Sequence, residues 1–181
     1  MNTELKIKQA FQAFDLEHRK KHGLIVHDTE KGIWGPSNLD IVFDLFKKIS
    51  LKKFKSFLDI GAGDGRVVCA ASLFTTAAGI EADKELVTTG NSIIKKLKLN
   101  AQLICDDFYK HDFSQYDILF INPDTSFHRG LEQKLLSEMK KGAVLLVYNN
   151  IFMPQLLTRG KTHWIQQTPI TEFTNNRQKK I

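Results

Sequence analysis

Four stretches of this chain carry side chains that could do chemistry. The first is Asp59-Ile60-Gly61-Ala62-Gly63-Asp64-Gly65-Arg66, an acid followed by three alternating glycines. The second is Glu81, about twenty residues past Gly61. The third is the pair Asp106-Asp107 with Phe108 behind it, and the fourth is Asn122-Pro123-Asp124-Thr125. Each follows an apolar run of strand character. In an open α/β sheet, strand ends of this kind face the ligand crevice.

The spacing selects the ligand. Glycines let the backbone turn sharply or approach a ligand where a Cβ would forbid it. A dinucleotide fingerprint reads G-x-G-x-x-G, with the pyrophosphate on a helix N-terminus. Here the third glycine, Gly65, comes one place early and Arg66 takes the position that fingerprint needs. Asp59 would also repel a pyrophosphate, whereas it suits an ammonium or a sulfonium. S-adenosylmethionine carries both cations and no phosphate. Glu81 stands where a strand-end acid accepts hydrogen bonds from a ribose. Asp107 is placed to accept the adenine amino hydrogens, with Phe108 offering its apolar surface and backbone N–H, and Asp106 is left without a contact. The expected cofactor-binding residues are therefore Asp59, Gly61, Ala62, Gly63, Gly65, Glu81, Ala82, Asp107, Phe108 and Asn122.

Periodic patterns supply the elements that position these groups. Residues 3 to 22 read as a helix with Ile7, Ala10, Phe11 and Phe14 on one face, stopped at Gly23. An irregular segment, Gly23 to Gly35, leads to Trp34-Gly35-Pro36-Ser37. Ser37 and Asp40 fit a capping box for a helix from Asn38 to Ile49. Strands follow at Phe57–Ile60, Thr76–Ile80, Ala101–Cys105, Tyr116–Ile121 and Ala143–Tyr148. Between them lie a helix after the glycines, one capped by Asp83, and one carrying Phe127, Leu131, Leu135 and Met139. Thr162–Gln167 and Ile170–Phe173 add two terminal strands around a turn or bulge at Pro169, and Asn175 to Lys180 reads as a frayed tail. The expected fold is α/β and Rossmann-like, a mostly parallel sheet flanked by helices with an N-terminal helical extension. One domain spans residues 1–181: helices and cap over 1–50, a cofactor core over 51–150, and short strands and a tail over 151–181.

Composition bounds the rest. With 42% hydrophobic and 25% charged residues, the chain is an ordinary globular one. Its formal charge of +6 is spread over scattered lysine pairs, a pattern of solvated helix ends more than of a nucleic-acid footprint. Cys69 and Cys105 both stand in apolar contexts, outside any C-x-x-C spacing, and predict two buried thiols with neither a disulfide scaffold nor a metal site. There is no signal-peptide core and no apolar run of membrane-spanning length, so a soluble cytoplasmic protein is expected.

Asp59-x-Gly61-x-Gly63-x-Gly65 at a strand end resembles motif I of the class I methyltransferases. Together with Gly79-Ile80-Glu81-Ala82-Asp83, Asp107-Phe108 and the Trp34-Gly35-Pro36 turn, it is similar to the small archaeal-type and mitochondrial protein-lysine methyltransferases, distant cousins of the non-SET histone-lysine enzyme. The resemblance covers roughly residues 30 to 150. It implies S-adenosylmethionine as cofactor and a nitrogen, most simply a protein lysine, as methyl acceptor. Asn122-Pro123-Asp124-Thr125 departs from that family's usual apolar segment and half resembles the Asn-Pro-Pro-aromatic motif of enzymes that methylate planar nitrogens, with the second proline and the aromatic missing. An RNA or DNA base N-methyltransferase is the alternative, and a catalytically silent cofactor-binding interaction module a third. Trp34, Asn122 and Tyr148, with Asp124, are the candidates to line the catalytic pocket, and none is assigned as a base. His111 and His128 are expected to be surface histidines.

Overall fold

Strand-forming residues with glycine at their ends pair here into a twisted parallel core. The structure, a computed structural model, describes residues 2–24, 26–29, 32–127 and 130–176, with the backbone alone for 27–29. In chain order the elements are α1 (Thr3–His22), β1 (His27–Thr29), β2 (Gly32–Trp34), α2 (Leu39–Lys48), β3 (Ser56–Ile60), α3 (Arg66–Ala71) and β4 (Thr76–Glu81). After them come α4 (Lys84–Leu97), β5 (Ala101–Cys105), β6 (Ile118–Ile121), α5 (Leu131–Glu138), β7 (Val144–Tyr148), β8 (Thr158–Ile165) and β9 (Thr168–Thr174). The seven-stranded sheet runs β5-β4-β3-β6-β7-β9-β8, parallel from β5 to β7 and antiparallel at β9 and β8. The chain winds outward from β3 through β4 and β5, then returns to lay β6 on the other side of β3. That reversal opens a crevice beyond the carboxyl ends of β3 and β6.

Strand alternation divides the core into two layers. Phe57 and Phe120 face helices α1 to α4, where Phe11, Phe43, Phe46, Val68 and Ile94 complete one cluster. Leu58, Ile60, Leu119 and Ile121 face α5, whose Leu131 and Leu135 join Phe113, Met139 and Phe173 in the other. Asp59 shares the α3 side of the sheet, opposite Gly79 on β4 and Phe120 on β6. A carboxyl group therefore ends a strand in mostly apolar surroundings.

Several sequence expectations shift. The segment read as irregular contains the β1–β2 hairpin, with His27 opposite Trp34. The cap of α2 is Asn38, whose side chain accepts from the Asp40 N–H, so no capping box forms at Ser37 and the helix begins one residue later. Pro169 lies inside β9, one residue beyond the last pair with β7, where its missing N–H costs no bond to that strand. The bulge falls instead between Arg159 and Thr162. Cys69 is buried and its thiol is pushed up to about 12 by burial, but Cys105, ending the edge strand β5, is exposed. Asn175 is anchored, its amide donating to the Leu136 carbonyl at 2.6 Å, and the tail after residue 176 and His128 lie outside the described residues. Among the described residues no helix is long and apolar enough to cross a membrane.

Candidate active site

A cleft of about 390 Å³ opens at the carboxyl ends of β3, β4, β5 and β6. Its floor is the glycine turn. The Gly61 and Ala62 N–H groups donate to the Ile80 carbonyl at 3.0 and 2.9 Å, which ties the turn to β4. Positive φ angles of 71°, 55° and 77° at Gly61, Gly63 and Gly65 carry the chain from strand to helix. The three glycines differ in use. A Cβ on Gly61 would meet nothing within 4 Å, so this position is open. One on Gly63 would strike the Trp34 indole at 2.4 Å. Gly65 does not line the cleft, and its missing Cβ makes room for Leu103 of β5. Its role is to seat α3 on the sheet.

Asp59 lines the cleft while only 3% exposed, and it accepts no hydrogen bond from the described residues. Burial, then repulsion from Glu81 and Asp64, holds its carboxyl well above the usual carboxylate range. A buried acid with open lone pairs is a receptor for a cation. Glu81 is held differently: the Gly63 N–H donates to one oxygen at 2.9 Å and the Asp83 N–H to the other at 2.8 Å. Each oxygen keeps a lone pair for a further donor. Asp107 and Phe108 line the cleft and Asp106 does not. Asp107 caps the turn Phe108–Lys110 by accepting from the Tyr109 N–H at 3.0 Å. Ala82 lines the cleft beside Glu81.

The acceptor end is built from the hairpin, the loop after β6 and the turn after β7. Trp34 is buried over Gly63, its ring 5.1 Å from that of His18 and 6.1 Å from that of Phe14 on α1. Asn122 lines the cleft, donating to Ser37 Oγ at 3.5 Å and accepting from Asn149 Nδ2 at 3.1 Å. Asp124 accepts from the Ile33 N–H at 3.0 Å and so latches the hairpin to the post-β6 loop. Tyr148, expected in the pocket, stands outside it. Its ring packs 5.9 Å from that of Phe120, and burial pushes its hydroxyl above the usual range. His111 pairs with the Tyr116 hydroxyl at 3.0 Å, away from the cleft.

Three features escaped the sequence. Arg66 is a buried clasp: it meets Asp64 and Asp15, each at 2.6 Å, and joins α1 to the glycine turn. Ser37 and Asn149 flank Asn122 from two separate loops. The only signal for Asn149 is its residue type, since Asn tolerates the left-handed backbone it adopts there, with φ at 59°. Among the described residues, five carboxylates (Asp59, Asp64, Glu81, Asp107 and Asp124) and one cation, Arg66, line the cleft. The site is acidic inside a basic protein.

The set is compatible with S-adenosylmethionine: a buried acid with no hydrogen bond from the described residues, an anchored strand-end carboxylate, and a third acid beside an aromatic. Fold and cleft together define a class I S-adenosylmethionine-dependent methyltransferase. The profile of the family "Histone methylation protein DOT1" matches residues 27–168, and the chain belongs to that family. The match leaves α1 outside it. Among solved structures, the chain is similar to an RNA methyltransferase from Salinibacter ruber in complex with S-adenosyl-L-homocysteine (TM-score 0.70, 19% identity, 80% of this chain and 95% of that one). It is also similar to the Pyrococcus abyssi tRNA (uracil-54, C5)-methyltransferase in complex with the same compound (TM-score 0.61, 12% identity, 78% of this chain and 40% of that one). A third is the mitomycin 7-O-methyltransferase MmcR (TM-score 0.63, 12% identity, 75% of this chain and 53% of that one). At these identities the likeness is one of fold. A search of curated proteins gave no match.

Proposed function

We propose that this enzyme methylates the side-chain amine of lysine in a protein substrate. The observation that carries the reading is the charge at the acceptor end of the cleft: among the described lining carboxylates, Asp124 is the one neither paired with Arg66 nor assigned to the cofactor, and it favours an ammonium over the phosphates that accompany a nucleic-acid base. Membership of a family described by histone methylation supports a protein acceptor. The position that is aromatic in the Asn-Pro-Pro-aromatic motif is Thr125 here, so that motif supplies no stacking surface for a planar acceptor.

The residues assigned to the cofactor are Asp59 for its cationic end, Glu81 for the ribose, Asp107 and Phe108 for the base, and Gly61 and Ala62 for close backbone approach. S-adenosylmethionine supplies, when bound, a methyl group on a sulfonium, open to in-line attack by a nitrogen lone pair. The chain's own task is to present that lone pair. Neutralising a lysine at pH 7, from a pKa of about 10.4, costs about 4–5 kcal/mol. Trp34 and Pro123 lower that cost by excluding water, which disfavours the charged amine. Asn122, Ser37 and Asp124 hold the walls in register, so the amine is positioned rather than activated by a dedicated base.

Radiolabelled cofactor incubated with a cell extract, split between protease and nuclease, tests the acceptor class. Label should be released by protease and found in methylated lysine after hydrolysis. The rate should rise about tenfold per pH unit below the amine pKa when transfer is limiting. Nuclease-sensitive label with a flat pH profile overturns the lysine reading and favours the base methyltransferase that Asn122 and the +6 charge also suggest.

A further inference from the structure

We propose that Asn149 is a positioning residue that sets the polarity of the Asn122 amide at the acceptor end of the cleft. The inference rests on reading this cleft as the acceptor site, and it begins from a group that cannot change role. The backbone N–H of Ile151 can only donate, and it lies 2.9 Å from the Asn149 side chain, so the atom it meets is Oδ1. Nδ2 of Asn149 is then turned toward Asn122, 3.1 Å from an atom that must accept, Oδ1 of Asn122. The Asn122 amino group is left facing Ser37 Oγ, at 3.5 Å. One main-chain N–H thus fixes two side-chain amides in series.

Asn149 itself does not line the cleft, while Asn122 and Ser37 do. The carbonyl edge of Asn122 already takes one bond from outside the cleft, and the amino edge lies toward Ser37. Oδ1 of Asn122 keeps a second lone pair for a hydrogen of the acceptor amine. The relay therefore fixes the direction of that carbonyl edge, and reversing it would present an amino edge, which can only donate, to the same amine.

Asn149→Asp separates polarity from shape. The carboxylate keeps an acceptor for the Ile151 N–H and tolerates the left-handed backbone, but it cannot donate to Asn122. Two facing oxygens repel, so the Asn122 amide turns over. In nitrogen-15 spectra the Asn122 side-chain amide pair, identified by its loss in Asn122→Asp, should move in Asn149→Asp. The Ile151 backbone amide should stay protected from hydrogen exchange. Affinity for S-adenosylhomocysteine should stay within about twofold while total methyl transfer to extract falls about 10- to 100-fold, a loss of the size that small misplacements cause. Asn149→Ala should lose the Ile151 protection as well. Unmoved Asn122 signals, or parental transfer by Asn149→Asp, overturn the proposal. If the parent labels nucleic acid, the lysine reading fails, and the variant-to-parent ratio still decides the role of Asn149.

Discussion

Asp59 shows how a single buried side chain makes stability depend on pH. Its carboxyl is raised first by burial and then by the neighbouring charges of Glu81 and Asp64. The folded protein therefore holds this proton to higher pH than the unfolded chain, where the group titrates near about 3.9. Because the native state binds more protons in that window, stability falls as pH rises from about 4 through the folded value. Asn in place of Asp removes the penalty. Asp59→Asn should raise the Tm of the cofactor-free protein at neutral pH, with the gain vanishing below about pH 4, where both states are protonated. The same change should weaken S-adenosylmethionine binding by about 1.5–3 kcal/mol, the range for hydrogen bonds to charged groups, as read by calorimetry. A variant that binds as tightly as the parent would remove Asp59 from the cofactor site.

At the scale of elements, α4 approaches the glycine turn so closely that no Cβ fits at Gly90. A methyl group there would lie 2.4 Å from the Asp64 carbonyl oxygen and 2.3 Å from Leu103 Cδ1. Gly90→Ala should cost about 1–3 kcal/mol in urea unfolding, as overpacking does, and should weaken cofactor binding by displacing the turn. Unchanged stability would mean that α4 can withdraw without strain. The helix α4 with its Asp83 cap was legible in the sequence, because helical period and capping are local. So were Asp59, Glu81 and Asp107, each defined by its place at a strand end. The β1–β2 hairpin was not legible, since its three-residue strands carry no alternation long enough to read. Tyr148 misled for a related reason: the end of β7 could be located, but the packing against Phe120 that turns its ring into the core depends on a neighbouring strand. Asp124 was located by its place after a strand, but its bond to Ile33, like that of Asn149 to Asn122, joins residues far apart in sequence, and no local pattern announces either bond.

At the scale of the molecule, the first helix lies outside the family match yet is wired into the cofactor turn through one guanidinium. Arg66 is 6% exposed, and Asp64 1%. Desolvation of such a pair is offset only while both partners and their hydrogen bonds are present. Nε of Arg66 contacts both Asp64 oxygens at 3.1 and 3.0 Å, and Nη2 reaches Asp15 on α1. The guanidinium also lies 5.1 Å from the Phe11 ring and 6.0 Å from that of Trp34. α1, the hairpin tryptophan and the glycine turn thus share one cation. Two substitutions separate the contributions. Arg66→Met leaves Asp64 buried without its counter-charge and should cost about 3–5 kcal/mol. Asp15→Ala leaves the Arg66–Asp64 pair intact and removes only the bond to α1, so about 1–3 kcal/mol is expected. Both are read from urea unfolding with the cofactor absent. If α1 supports the cofactor turn through this clasp, Asp15→Ala should also weaken S-adenosylmethionine binding although Asp15 does not line the cleft. Cofactor affinity untouched by Asp15→Ala would mean that α1 is held by its other contacts, Ile7, Phe11 and the ion pairs to α2 and α4, and that the clasp serves only the turn.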